Sequence, residues 1–209
     1  MTRSVPLRWL KPAILTGGLV PLAALALRAW RGELGANPIA EVMNALGLMA
    51  LVFLVASLAC TPLRARFGWT WPIRVRRLLG LMAFTYATIH VATYAGLDQL
   101  GDWRAITADV LKRRFIFVGF AAYVLLVPLA ITSTAGWVRR LGFVRWKRLH
   151  RLVYLAAGLG VIHFVWRVKA DLREPLVYVA VLGVLLLGRV PRLRGERSRP
   201  TREVSRPMV

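Results

Sequence analysis

The sequence predicts an all-α integral membrane protein, a bundle of six transmembrane helices with both termini on the cytoplasmic side. Three observations predict it. The 209-residue chain is 57% hydrophobic, its apolar residues gather into six runs, and 20 of its 30 lysines and arginines fall on one side of those runs. A soluble domain of this size needs more polar surface than such a composition provides, and so apolar a chain does not stay disordered. The single cysteine, Cys60, excludes an intrachain disulfide framework and any cysteine-rich metal site.

A bilayer core of roughly 30 Å takes about 20 mostly apolar residues per helix. The six runs occupy residues 12–29, 40–59, 78–97, 115–134, 149–168 and 175–190, the last being the shortest. The first also has the marks of a signal peptide: Arg3, Arg8 and Lys11 precede a short apolar core that ends in Ala24-Leu25-Ala26. The other five runs keep the same orientation on either reading.

Orientation follows from the connections. The N-terminus, the connections after the second and fourth runs, and the tail after the sixth hold twenty basic residues and only two acids, Glu196 and Glu203. The opposite connections hold nine basic residues and seven acids. The positive-inside rule therefore places both termini in the cytoplasm. All eight tryptophans fall at or just beyond run ends, where an amphipathic ring prefers the headgroup zone. Residues 1–11 form a cytoplasmic N-terminus and 12–190 the membrane domain. Residues 191–209 form a basic tail, expected to be disordered and to touch anionic lipid. The charge of +21 is thus an orientation signal spread by membrane side, which excludes a nucleic-acid binder. The longest polar connections are too short for a soluble catalytic domain, and no G-x-G-x-x-G motif binds a dinucleotide.

Polar residues at membrane depth are costly and mark function. No Asp or Glu lies in the middle of any run, which counts against a proton-coupled transporter. The three histidines, His90, His150 and His163, all lie in or at the ends of runs. His90 sits about 18 Å along the third helix and His163 about 21 Å along the fifth, both counted from the cytoplasmic side. Two neutral imidazoles at matched depth suit the axial positions of one haem iron. Gly160, one turn from His163, and nearby Gly158 let backbone approach a flat macrocycle, and Tyr86, Tyr94, Phe164 and Trp166 are candidate walls.

His150 lies about 20 Å from His163 along the same helix, near the cytoplasmic face. Three roles stay open for it. It is a ligand of a second haem, a contact that with Arg76 and Arg77 holds a flavin phosphate, haem propionates or a quinone headgroup, or an ordinary interfacial histidine. Lys112, Arg113 and Arg114 either pair with propionates or snorkel at the outer interface. Two rival functions remain on these grounds: a transporter with structural histidines, and an assembly or anchor subunit without redox chemistry.

Several motifs resemble one family. The stretch R-R-L-L-G-L-M-A-F-T-Y-A-T-I-H (residues 76–90), Lys112-Arg113, P-L-A-I-T-S-T (128–134) and T-P-L-R (61–64) are similar to the MsrQ (YedZ) family. So are R-R-L-G-F-V-R-W-K-R-L-H-R-L-V-Y (139–154) and H-F-V-W-R-V-K (163–169). These are the haem-binding membrane subunits of the protein-methionine-sulfoxide reductase system, which share the ferric-reductase-like transmembrane core. The resemblance implies a multi-pass protein of the bacterial inner membrane with b-type haem, one or two per chain, and FMN. It implies electron intake from quinone or a cytoplasmic flavin reductase and delivery to a periplasmic molybdopterin reductase, MsrP. It also implies His90 and His163 as iron ligands, with His150 as a ligand or cofactor contact.

Overall fold

The computed structural model describes residues 7–188, and the described chain is helical throughout, with no strand among those residues. The predicted tail (191–209) and the first six residues lie outside them. In chain order the helices are α1 (Leu7–Trp30), α2 (Pro38–Phe67), α3 (Trp71–Thr93), α4 (Trp103–Lys112), α5 (Arg114–Ile131), α6 (Ala135–Leu141), α7 (Phe143–Leu149), α8 (Leu152–Arg167) and α9 (Arg173–Leu187). A π-helical turn, Tyr94–Asp98, continues α3. The starts and stops follow local chemistry. The Asn37 side chain accepts from the Ala40 amide and Pro38 opens α2, as a missing N–H is harmless in a first turn. Gly68, at φ 70°, closes α2 in the left-handed conformation that glycine takes without strain. Asp102 caps α4 by accepting from the amides of Arg104 and Ala105.

Five helical segments are long and apolar enough to cross a membrane: Arg8–Trp30, Pro38–Phe67, Trp71–Asp98, Arg114–Ile131 and Phe143–Arg167. The chain is a helical membrane protein. The sixth predicted span corresponds to α9, whose 15 described residues rise about 22 Å, short of a 30 Å core. The fifth predicted span is broken near its start, where α7 ends at Leu149 and α8 begins at Leu152. The first run is built into the bundle: the Tyr86 hydroxyl on α3 donates to the Gly18 carbonyl on α1 at 2.6 Å.

Helices α2, α3, α5 and α8 surround the site. Their side-chain pairings give the directions. On α2, Met43 and Gly47 lie opposite His90 while Ser57 and Thr61 lie opposite Arg76, so α2 and α3 are antiparallel. On α5, Phe115 and Gly119 face His163, while Thr132, just past its end, faces His150, just before α8, so α5 and α8 are antiparallel too. Lipid offers no hydrophobic drive for helices to associate, so close packing of small residues does the work. Ala83, Ala156 and Ala157 are accordingly almost wholly buried, and Leu51, Leu54, Leu126, Leu129 and Val161 fill the space around them. The outer face of α5 carries the exposed stripe Phe117, Phe120, Val124 and Ile131, apolar residues turned toward lipid.

Candidate functional site

His90 on α3 and His163 on α8 come together. Their ring centroids are 6.3 Å apart with planes at 80°. Each ring is fixed by a backbone carbonyl: His90 Nδ1 lies 2.9 Å from the Met43 oxygen on α2, and His163 Nδ1 lies 2.7 Å from the Phe115 oxygen on α5. A carbonyl oxygen only accepts, so in both rings Nδ1 carries the proton and donates. The neutral imidazole then presents its lone pair at Nε2, and neither Nε2 has a hydrogen-bond partner among the described residues. A donated Nδ1–H that sets tautomer and ring angle is the arrangement of a metal-ligating histidine.

Two glycines make room for the rings. A Cβ on Gly47 of α2 would stand 3.3 Å from His90 Cε1 and Nδ1, and one on Gly119 of α5 would stand 2.6 Å from His163 Nδ1. Among the described residues no three His, Cys, Asp or Glu side chains converge to hold an ion. A bare ion would therefore have two protein ligands, whereas a haem brings four equatorial nitrogens and asks the protein for two. One metal bonded to a nitrogen of each ring at about 2 Å holds ring centres about 6 Å apart. The pair fits a bis-histidine haem.

The opposite, basic end differs. His150 Nε2 lies 3.1 Å from Thr132 Oγ1, and that hydroxyl donates its hydrogen to the Pro128 carbonyl at 2.6 Å. Thr132 must therefore accept, so His150 carries its proton on Nε2, the reverse of the other two. Its ring packs 4.1 Å from Trp146, whose indole N–H donates to the Thr132 carbonyl at 2.9 Å. Arg76 donates to Thr61 Oγ1 at 3.2 Å. Arg77 is exposed and makes no hydrogen bond or ion pair among the described residues.

The remaining predicted residues fall at other places. The Tyr94 hydroxyl donates to Asp109 at 3.0 Å, and the same carboxylate pairs with Arg113 at 2.7 Å. Tyr94 thus ties the π-helical turn to α4, and Arg113 has an internal partner. Gly160 faces Leu51 across the α2–α8 contact. Of the other expected walls, Tyr86 packs at a tilt against Phe53, Phe164 packs edge-on against Tyr178, and Trp166 is exposed. The aromatic beside His163 is Phe115, with centroids 6.1 Å apart. Sequence reading missed Gly47 and Gly119, although a lone glycine amid bulky residues of a transmembrane helix flags a close approach. It also missed Asn44 and Arg167, which hydrogen-bond to each other one residue from Met43 and one turn from His163.

Comparison with known proteins shows the family. Residues 43–161 match the family described as ferric reductase like transmembrane component, a stretch that begins at Met43 and stops two residues before His163. The chain is 54% identical over 187 residues to the protein-methionine-sulfoxide reductase heme-binding subunit MsrQ of Rhodospirillum rubrum, covering 89% of this chain and 90% of that protein. It is 47% identical over 201 residues to the protein of the same name from Deinococcus radiodurans, covering 96% and 98%. With that from Xanthomonas euvesicatoria it shares 49% over 186 residues, 86% and 85%.

Proposed function

The chain belongs to the MsrQ family of haem-binding subunits, within the ferric reductase-like transmembrane components, and from that membership we propose an electron conduit of the bacterial inner membrane. It takes electrons from quinone or a flavin donor at its basic, cytoplasmic end. It delivers them to a periplasmic molybdopterin methionine-sulfoxide reductase, MsrP, at the other. In this reading α9 completes six spans with both termini inside, and residues 12–190 form the haem-binding domain.

The observation that carries the proposal is the histidine pair, 6.3 Å apart, with each Nδ1 held on a carbonyl of a different helix. Haem b, when bound, supplies the one-electron carrier. His90 and His163 would hold its iron through their Nε2 atoms, and the Met43 and Phe115 carbonyls lock the tautomer that makes this possible. Gly47 and Gly119 keep the rings from being displaced. A haem held by both histidines would carry electrons rather than activate oxygen. At the basic end, His150 with Arg76 and Arg77 marks where electrons enter, near bound FMN or quinone.

The test is spectroscopic. The purified, detergent-solubilised chain shows a Soret band, with α and β peaks on dithionite reduction, and His90→Ala and His163→Ala each lose them. Addition of the periplasmic reductase and a methionine-sulfoxide substrate reoxidises the reduced haem. A wild-type chain that stays colourless after haem-supplemented expression refutes the conduit and favours a transporter. A haem that the partner never reoxidises refutes the assigned direction of transfer.

A further inference from the structure

At the basic end, α2 and α3 meet over a cleft of about 410 Å³ lined by Thr61, Arg64, Ala65, Ile73 and Arg76. Its size lies within the range of small-ligand sites. Thr61 and Arg64 are three residues apart on α2 and so share a face, and Arg76 enters from α3. The contact between Arg76 and Thr61 orients the guanidinium, and the Ser57 hydroxyl on α2 donates to the Arg76 carbonyl at 3.1 Å, fixing the α3 backbone there. Ala65 and Ile73 add an apolar wall.

Charge makes the cleft informative. The ion pairs among the described residues, Arg28–Glu41, Arg31–Glu33 and Arg113–Asp109, all lie at the opposite end of the bundle. Arg64 and Arg76 have no carboxylate partner among the described residues, and neither do Arg66, Arg74 and Arg77 around them. Two guanidiniums in one cleft repel each other until an anion sits between them, and a guanidinium suits phosphate oxygens through paired N–H donors.

We propose that Thr61, Arg64 and Arg76 form a phosphate-binding site, taking a phosphate ester whose attached group lies against Ala65 and Ile73. The shared chemistry has two sources, the phosphate of flavin mononucleotide and the headgroup of an anionic phospholipid. The flavin source rests on the electron-intake reading above, and the lipid source is independent of it. The site shifts weight from Arg77, which does not line the cleft, to Arg64.

The haem-loaded full chain tests this in two arms. In detergent, FMN and riboflavin, which lacks the phosphate, are titrated by flavin-fluorescence quenching. In nanodiscs, thermal stability is compared between phosphatidylglycerol and phosphatidylcholine. Wild type, Arg64→Gln, Arg76→Gln and, as a control on the same end, Arg139→Gln are measured in both. The flavin source predicts FMN binding at least tenfold tighter than riboflavin, with that preference lost in Arg64→Gln and Arg76→Gln but kept in Arg139→Gln. The lipid source predicts a phosphatidylglycerol-dependent rise in melting temperature lost in the same two variants. A chain that shows neither preference, or whose preference survives both cleft substitutions, overturns the site. Arg64→Gln decides the case where Arg76→Gln fails to fold, because the Arg64 side chain makes no hydrogen bond or ion pair among the described residues. The Soret band reports on the histidine pair separately, so failure of the site and failure of the conduit are distinguishable.

Discussion

Replacing Gly119 with alanine adds one carbon to α5 against the His163 ring. The new Cβ would stand 2.6 Å from Nδ1, 2.8 Å from Cε1 and 3.0 Å from Cγ, where ordinary contact begins at 3.4 Å. The ring must therefore retreat by about 0.8 Å, well beyond the slack of a packed interior. The same retreat pulls Nδ1 from the Phe115 carbonyl, now 2.7 Å away. Overpacking of this kind costs about 1–3 kcal/mol, and the lost hydrogen bond about 1 kcal/mol more. Alanine is the better helix former by about 1 kcal/mol, so weakening of α5 itself is not the cause. Loss of a ligating histidine's outer partner typically lowers metal affinity ~10–100-fold, and that is the expected fall in haem affinity. Haem per polypeptide, read from the Soret absorbance during haem titration, measures it. Gly47→Ala is the graded comparison, with a Cβ at 3.3 Å from the His90 ring and a correspondingly small effect. Gly17→Ala, where an added Cβ meets nothing within 4 Å, is the control and keeps wild-type haem. A Gly119→Ala protein that binds haem as Gly17→Ala does would refute the claim that this glycine sets the ligand geometry.

Three further outcomes follow from the same contacts. His150→Ala keeps the Soret contribution of the His90–His163 pair, and an iron count per chain shows whether a second haem is lost with it. Arg167→Gln removes a cation hydrogen-bonded to Asn44 beside the pair. It lowers the haem midpoint potential, since a nearby positive charge stabilises the reduced state, and ~1 kcal/mol of coupling appears as about 40 mV in a one-electron redox titration. Thr132→Val leaves the His150 Nε2–H without its acceptor in a part-buried place. The cost is about 1–3 kcal/mol, seen as a lower melting temperature of the solubilised protein while the Soret band of the pair is unchanged.

Much of the architecture is legible because the bilayer imposes it. The long apolar runs around residues 40–59, 78–97 and 115–134 appear as α2, α3 and α5, since backbone polar groups in lipid must be satisfied within the helix. The shorter features are not legible in this way. The break at His150 and Arg151, the short helix α4 and the extension of α2 past Pro62 depend on neighbours and caps, which run lengths do not encode. Tyr86 and Phe164 read from the sequence as walls of a cofactor site because they lie close to the histidines in the chain. Helix rotation turns Tyr86 toward Gly18 on α1 and Phe164 toward Tyr178 on α9.

The sequence by itself determined that the chain is a helical membrane protein and that His90 and His163 sit at one depth. Both properties are one-dimensional, fixed by hydropathy and by the 1.5 Å rise per residue. Tertiary structure alone decided what kind of histidines they are. Backbone carbonyls of Met43 and Phe115 have no side-chain signature, yet by accepting from Nδ1–H they hold the proton there and leave Nε2 free in both rings. The Thr132 hydroxyl does the reverse at His150. A tautomer is set by the hydrogen bond the ring makes, and in all three cases that partner lies far from the histidine in the sequence and is brought to it by tertiary packing.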